Sequence, residues 1–294
     1  MSDSFKKIGL IGRGRHENSP ETLQRLLALL SSRGAEVFIE PRLAKICRGC
    51  DATEAGREEI GERCDLVIVV GGDGSMLSAA RTMAKYDTPL LGVNRGRLGF
   101  LTDISPDEIE ERVSRVLDGE FTREHRFLLD VVVVRDGEVI GRADALNDVV
   151  VNSGTSAQMI EFDLYVDNTF VYRQRADGMI ISTPTGSTAY SLSGGGPIMH
   201  PALDALVLLP MFPHTLSSRP IVVDGNSRLR LDIAESNSIH PPVTCDGQVN
   251  MTARPGDAVD IFKKPHRMTL IHPPGHDFYA SCRDKLRWGN PLVE

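Results

Sequence analysis

The chain lacks what a membrane protein, a secreted scaffold or a general nucleic-acid binder would need. Its longest apolar runs, Leu66–Val70 and Ala205–Met211, are far too short to span a bilayer. The opening Met1-Ser2-Asp3-Ser4-Phe5-Lys6-Lys7 has no apolar signal region before the first strand-like segment. Only five cysteines occur, at 47, 50, 64, 245 and 282, and an odd count without a secretory signal argues against a disulfide framework. Cys47-Arg48-Gly49-Cys50 matches C-x-x-C, but no second pair stands at zinc-ribbon spacing, so ordinary reduced thiols are expected. A net charge of −7, with no basic run interleaved with aromatics, disfavours nucleic acid as a partner. A local group of arginines and backbone amides still suits an anionic substrate. These absences predict a cytoplasmic protein with no membrane partner.

Other chemistries are missing too. The eight histidines (16, 125, 200, 214, 240, 266, 272 and 276) show no H-E-x-x-H or similar metal spacing, and none is assigned a catalytic role. His214, in Phe212-Pro213-His214, is the candidate for the interior. Ser187 lies in no G-x-S-x-G elbow, which leaves a serine hydrolase without support. There is no Walker A loop, and Gly12-Arg13-Gly14 lacks the third glycine of a dinucleotide fingerprint, with Glu17 in its place. No internal repeat or low-complexity segment is present.

What is present alternates. Ile8–Ile11 reads as a strand closed by Gly12. Ser19-Pro20-Glu21 opens a helix whose stripe is Leu23, Leu26, Leu27 and Leu30, ended by Gly34. Ala35–Glu40, Leu66–Val70 and Pro89–Val93 read as further strands, and Ser105-Pro106-Asp107-Glu108 as a capping box. That box opens a helix with Ile109, Val113, Val116 and Leu117 on its apolar face. Such alternation predicts an α/β domain with a parallel sheet, ligands binding at the carboxyl ends of its strands.

From about Phe121 the pattern becomes mostly β. Val131–Val134, Phe162/Leu164/Val166, Leu229/Leu231/Ile233 and Val259/Ile261 are strand-like, separated by turns such as Arg135-Asp136-Gly137 and Arg254-Pro255-Gly256-Asp257. At 294 residues the chain is long enough for two domains. The expected division is 1–120 for the α/β domain and 121–275 for a β-rich domain. A tail at 276–294 forms a short helix or crosses back onto the first domain.

Chemistry concentrates in a few stretches. Gly71-Gly72-Asp73-Gly74-Ser75 follows the strand Leu66–Val70 and precedes a helix expected to begin near Met76. It offers bare backbone to phosphate oxygens and one carboxylate to a hydroxyl proton or a metal. Its plainest structural role is a turn in which Asp73 caps the helix. Gly71, Gly72, Gly74 and Ser75 are candidate phosphate binders, because a helix N-terminus favours anions. Gly92-Val93-Asn94-Arg95-Gly96-Arg97-Leu98-Gly99-Phe100-Leu101 brings a second glycine-rich loop, with Arg95 as a candidate phosphate partner. Asn147-Asp148 joins a donor–acceptor amide to a carboxylate, a pair suited to a base or a ribose. Thr183 through Ser193 holds seven hydroxyl side chains in eleven residues, followed by Gly194–Gly196, a set suited to sugar and phosphate oxygens.

Together these motifs resemble the NAD kinase family, in its bacterial branch. The resemblance spans nearly the whole chain. It rests on Gly71-Gly72-Asp73-Gly74, Asn94-Arg95-Gly96-x-Leu98-Gly99-Phe100-Leu101, Asn147-Asp148, and the run Asp177 through Tyr190 containing Thr183-Pro184-Thr185-Gly186-Ser187-Thr188. The glycine-aspartate turn alone is shared with diacylglycerol kinases, sphingosine kinases and phosphofructokinases; the Asp177–Tyr190 run is specific. The resemblance implies a two-domain NAD kinase-like fold that uses ATP to phosphorylate the 2′-hydroxyl of the adenosine ribose of NAD. A divalent metal, magnesium, would sit on the phosphates, with no side-chain ligand assigned. It implies Asp73 as general base and Gly74 against the dinucleotide. Asn147 and Asp148 would meet ribose and base, Arg175 and Asp177 would contact NAD, and Thr188, Ala189, Tyr190, Ser191, Leu192 and Ser193 would line its site. Gln248 is a further contact, as is Gln158, which stands where some bacterial members carry a basic or imidazole side chain. A homodimer or homotetramer is implied as well. The competing readings are a lipid or sugar kinase sharing the turn, and a non-catalytic NAD(H) sensor.

Overall fold

The computed structural model describes residues 5–12, 19–47, 49–94, 99–154 and 158–288. The chain forms two compact units, Met1–His125 with Met268–Glu294, and Arg126–Arg267. The division thus falls at 125/126 and 267/268, where the sequence suggested 120 and 275.

In the first unit the strand Leu66–Val70 is buried along its whole length, as an apolar run between helical layers must be. It lies parallel between Leu90–Val93 and Lys7–Gly12, and the sheet continues through Glu36–Ile39 to the short Thr53–Glu54. On the other edge, Leu270 and Ile271 pair parallel with Leu90 and Leu91. The helix Ser19–Ser32 buries Leu23, Leu26, Leu27 and Leu30, all within one core with Ile8, Leu10, Leu66 and Ile68. Each fully buried leucine of that stripe is worth about 1.5–3 kcal/mol relative to exposure. Ser105 and Glu108 form the expected reciprocal capping box, although the first turn it caps is 3₁₀ and the α-helix proper is Ile109–Leu117. The tail contributes a helix, Phe278–Leu286, with Asp277 accepting from the Tyr279 N–H at its start.

The second unit is almost wholly β. One antiparallel sheet runs, in order, Ile221–Asp224, Ala205–Met211, Gly178–Ser182, Asp148–Asn152, Pro242–Cys245 and Val249–Thr252. A second antiparallel set places Ile160–Val166 between Thr169–Ala176 and Leu229–Ile233, with Leu229 also opposite Ile261. Thr122–Arg135 forms a hairpin with Glu138–Ala145. The period-two residues supply one core: Phe127, Leu129, Val131 and Val133, then Ile160, Phe162 and Leu164, then Leu229, Leu231 and Ile233. Two buried carboxylates are paired: Asp257 receives a bidentate Arg135 at 2.8 Å from both nitrogens, and Asp130 receives Arg142. His214, the sequence candidate for the interior, is exposed, and among the described histidines His272 is the buried one. Among the described residues no helix is long and apolar enough to cross a membrane.

Candidate active site

In the first unit, the chain leaves the end of Leu66–Val70 with one more ladder bond, Gly71 N–H to Val93 O at 2.9 Å. Gly72 takes the N-cap position and the helix begins at Asp73, running to Met83. The helix therefore starts earlier than the expected Met76, and Asp73 is its first residue rather than its cap. The Asp73 carboxylate instead reaches across to the second glycine-rich loop. Its two oxygens accept the Phe100 N–H at 2.9 Å and the Leu101 N–H at 3.0 Å. Gly99 makes this possible: a Cβ there would stand 1.8 Å from Asp73 Oδ1. Thr102 Oγ1 fixes the loop in turn, accepting the Gly99 N–H at 2.9 Å and the Asn94 amide at 3.1 Å. Gly72, Asp73 and Gly74 are half-buried and Ser75 is buried, its N–H bonded to Gly72 O at 2.8 Å. Arg95 lies outside the described residues.

The other candidate residues belong to the second unit, where three connections converge. Asn147 joins the strands Glu138–Ala145 and Asp148–Asn152, and its carbonyl accepts the Thr183 N–H at 2.9 Å. Gly186 packs on the same carbonyl so closely that a Cβ would lie 2.1 Å from it. From the turn Cys245-Asp246-Gly247-Gln248, the Asp246 carboxylate accepts the N–H groups of Leu146 (3.0 Å), Asn147 (2.7 Å) and Asp148 (3.4 Å). Asp246, at a left-handed φ of 52°, is the organiser that the sequence reading missed. The Asp-Gly dipeptide at 246–247, a common turn signal, is the feature that could have found it.

Three polar groups among the candidate residues are buried without a full set of partners. Asn147 Oδ1 and Ser191 Oγ are buried and have no hydrogen-bond partner. Asp148 is buried at 5% exposure, opposite Ser182 in the sheet. Burial, and then the negative charge of Asp246, push its pKa up to about 7.

The hydroxyl-rich run divides in two. Thr183, Thr185 and Ser187 are buried and hold the fold: Thr183 donates to Leu146 O, Thr185 accepts from Arg126 at 3.0 Å, and Ser187 bonds to Pro184 O and Met199 N–H. Those hydroxyls are therefore not turned to sugar or phosphate oxygens. The remainder, Thr188 through Ser193, spans a 3₁₀ turn and the single helical turn Tyr190–Ser193, with Thr188, Ala189 and Leu192 half-buried and Tyr190 and Ser193 exposed. Arg175 is exposed on the strand Thr169–Ala176, and Asp177 follows it with its N–H on Met211 O at 2.9 Å. Gln248 is half-buried beside the Asp246 turn, and Gln158 is exposed just before Ile160–Val166. Among the described residues, no group of three His, Cys, Asp or Glu ligand atoms gathers around Asp73.

A glycine-framed carboxylate opening a helix at the end of a parallel strand suits a nucleotide-using phosphotransferase. Comparison with known proteins agrees. The N-terminal domain model of ATP-NAD kinase matches residues 8–121 and the C-terminal domain model matches residues 146–273. The NAD kinase of Chromohalobacter salexigens is 57% identical over 290 residues, covering 99% of each chain. That of Teredinibacter turnerae is 56% identical and covers 98% of each. Among solved structures, a yeast NADH kinase complexed with NADH superposes with a TM-score of 0.90 at 24% identity, covering 99% of this chain and 91% of that one. An Archaeoglobus fulgidus NAD kinase in complex with ATP gives 0.74 at 25% identity, covering 96% and 98%. The chain belongs to the ATP-NAD kinase family.

Proposed function

We propose that Asp73 is the base in this chain's ATP-dependent phosphorylation of NAD. A ribose hydroxyl is a poor nucleophile near neutrality, so a placed carboxylate helps by taking the proton as the new O–P bond forms. The proton moves from the 2′-hydroxyl of the adenosine ribose to an Asp73 oxygen, the O–Pγ bond forms, and the Pγ–O bond to the ADP leaving group breaks. One observation carries the assignment: each Asp73 oxygen is held by a single backbone N–H, from Phe100 and Leu101. The carboxylate is thereby oriented while lone pairs remain for a substrate proton.

The polar nest of the second unit is assigned to NAD binding. Asn147 Oδ1, Ser191 Oγ and the Asp148 carboxyl supply acceptors and a donor of the kind that ribose hydroxyls and an adenine amine require. Arg175, Asp177, Thr188–Ser193, Gln248 and Gln158 are assigned to NAD by family resemblance, and Gly71, Gly72, Gly74 and Ser75 to phosphate. A divalent cation fits this donor set only as a passenger on the triphosphate, as magnesium commonly binds. When bound it neutralises charge on the β- and γ-phosphates. Five cysteines outside any disulfide, three of them buried, fit a reducing cytoplasm. Exposed Phe212 (77%) and Leu216 (100%) on the second unit fit the expected homo-oligomer.

The test is Asp73→Asn. Calorimetry should find NAD binding retained, while turnover falls by at least about 100-fold, the lower end of what a placed base contributes. Near-native turnover would overturn the assignment. Family membership leaves no support for the lipid-kinase, sugar-kinase and sensor readings.

A further inference from the structure

We propose that Asp103, His272 and His276 form a binding site for one zinc-class divalent cation, separate from the phosphate-bound metal of the kinase reaction. All three residues belong to the first unit. Asp103 lies two residues past Leu101, in the loop that returns to pair Ile104 with Val93. His272 ends the strand Ala258–His272, and His276 follows four residues on, before the helix Phe278–Leu286. Both imidazoles turn Nδ1 to the same carboxylate: His272 to Asp103 Oδ2, and His276 to Asp103 Oδ1 at 2.9 Å. The rings stack with centroids 3.7 Å apart and planes 20° apart.

Several features go beyond a hydrogen-bonded cluster. One ligand atom from each residue can be chosen so that all three lie within 4.8 Å of one another. Ligands on a tetrahedral zinc at about 2.0–2.1 Å lie roughly 3.3 Å apart, so both Nδ1–carboxylate contacts open and the stacked rings turn to converge their Nδ1 lone pairs. The donor set, two imidazoles and a carboxylate, is that of borderline first-row cations rather than magnesium or calcium. The outer layer is also in place. His272 Nε2 contacts Glu124 Oε2 at 2.9 Å, the carboxylate–histidine arrangement that fixes a ring's tautomer and leaves the other nitrogen facing a metal. His272 is buried, whereas Asp103 and His276 open onto a cavity of about 580 Å³ also lined by Arg112 and Lys285. The cavity provides an entry path and room for a water as fourth ligand. On binding, the cation takes the Nδ1 positions that now face the carboxylate; each ring keeps one proton on Nε2, and any proton beyond one per ring leaves to solvent.

The test uses the full chain, stripped with chelator and titrated with Zn2+ by calorimetry and with Co2+ by visible absorption. One equivalent should bind, with cobalt d–d bands and no thiolate-to-cobalt charge transfer. Glu124→Gln should weaken binding about 10–100-fold, the usual cost of losing such a partner, and His276→Ala by at least as much. Cys47→Ser with Cys50→Ser should leave affinity unchanged. Failure of the wild-type chain to bind, a thiolate band, or undiminished affinity in both the Glu124 and His276 variants would each overturn the proposal. Because the readout is metal affinity, its failure is separate from any failure of the Asp73 assignment.

Discussion

Asp148 offers a measurable test, because its buried environment costs stability. Its carboxyl is buried, and burial followed by the Asp246 charge raises its pKa from 3.8 to about 7. Between those two values the folded chain holds a proton that the unfolded chain has released. Stability therefore falls as pH rises from about 4 to about 7 and levels off above. At about 1.4 kcal/mol per unit, a rise of roughly three units sets an upper bound of about 4 kcal/mol on the loss. Asp148→Asn removes the titration. A buried amide that is incompletely paired costs about 1–3 kcal/mol, so the net gain at about pH 8 should be about 1–3 kcal/mol.

Urea denaturation of both proteins at about pH 4.5, 6 and 8 reads this directly, since the difference between them isolates one group. The variant should gain relative to wild type as pH rises. Activity should move the other way. On the proposed reading an ionised Asp148 would accept from ribose and adenine donors, so wild-type affinity for NAD should strengthen as pH climbs through about 7. The variant should bind NAD more weakly, with that dependence lost. A stability difference that does not change with pH would refute the reasoning about Asp148, whatever happened to NAD binding.

Two glycines give further tests. Gly99→Ala places a Cβ 1.8 Å from Asp73 Oδ1, so the carboxylate must leave its two amide donors; kcat should fall by at least about 100-fold with little change in the denaturation midpoint, and an unchanged kcat would show that this contact does not position the acid. Gly186→Ala sets a Cβ 2.1 Å from the Asn147 carbonyl oxygen, backbone that cannot swing aside; overpacking of this kind should cost about 1–3 kcal/mol and raise the KM for NAD, and an unmoved urea midpoint would count against it.

The architecture was legible where one physical rule dominates. The five-residue run Leu66–Val70 had to be a strand buried on both faces, and the leucine spacing in 23–30 had to be one helical stripe. In the second unit the alternation at Phe162/Leu164 and Leu229/Leu231/Ile233 named the inward face before any register was known. Local rules failed where a tertiary partner decided. The helix after Val70 begins at Asp73, because Gly72 takes the N-cap with no side chain to announce it. Thr183 and Ser187 turned inward because backbone groups of Leu146, Pro184 and Met199 needed partners, a demand invisible in a run of hydroxyls. Asp103 and His272 meet across 169 residues, which no spacing rule reaches.

The two aspartate-glycine turns show why residue type announces chemistry without assigning it. Asp73 and Asp246 each reach out from a turn and collect backbone N–H groups from another loop. Asp246 spends one oxygen on three of them, from Leu146, Asn147 and Asp148, and its second oxygen also meets Leu146. A carboxylate has about four lone-pair sites, so little capacity is left for a ligand, and its work is to shape the loop that presents Asn147 and Asp148. Asp73 takes one N–H on each oxygen and keeps the remaining sites. The number of amides gathered, rather than the turn itself, separates the carboxylate that builds a binding loop from the one still able to accept a proton.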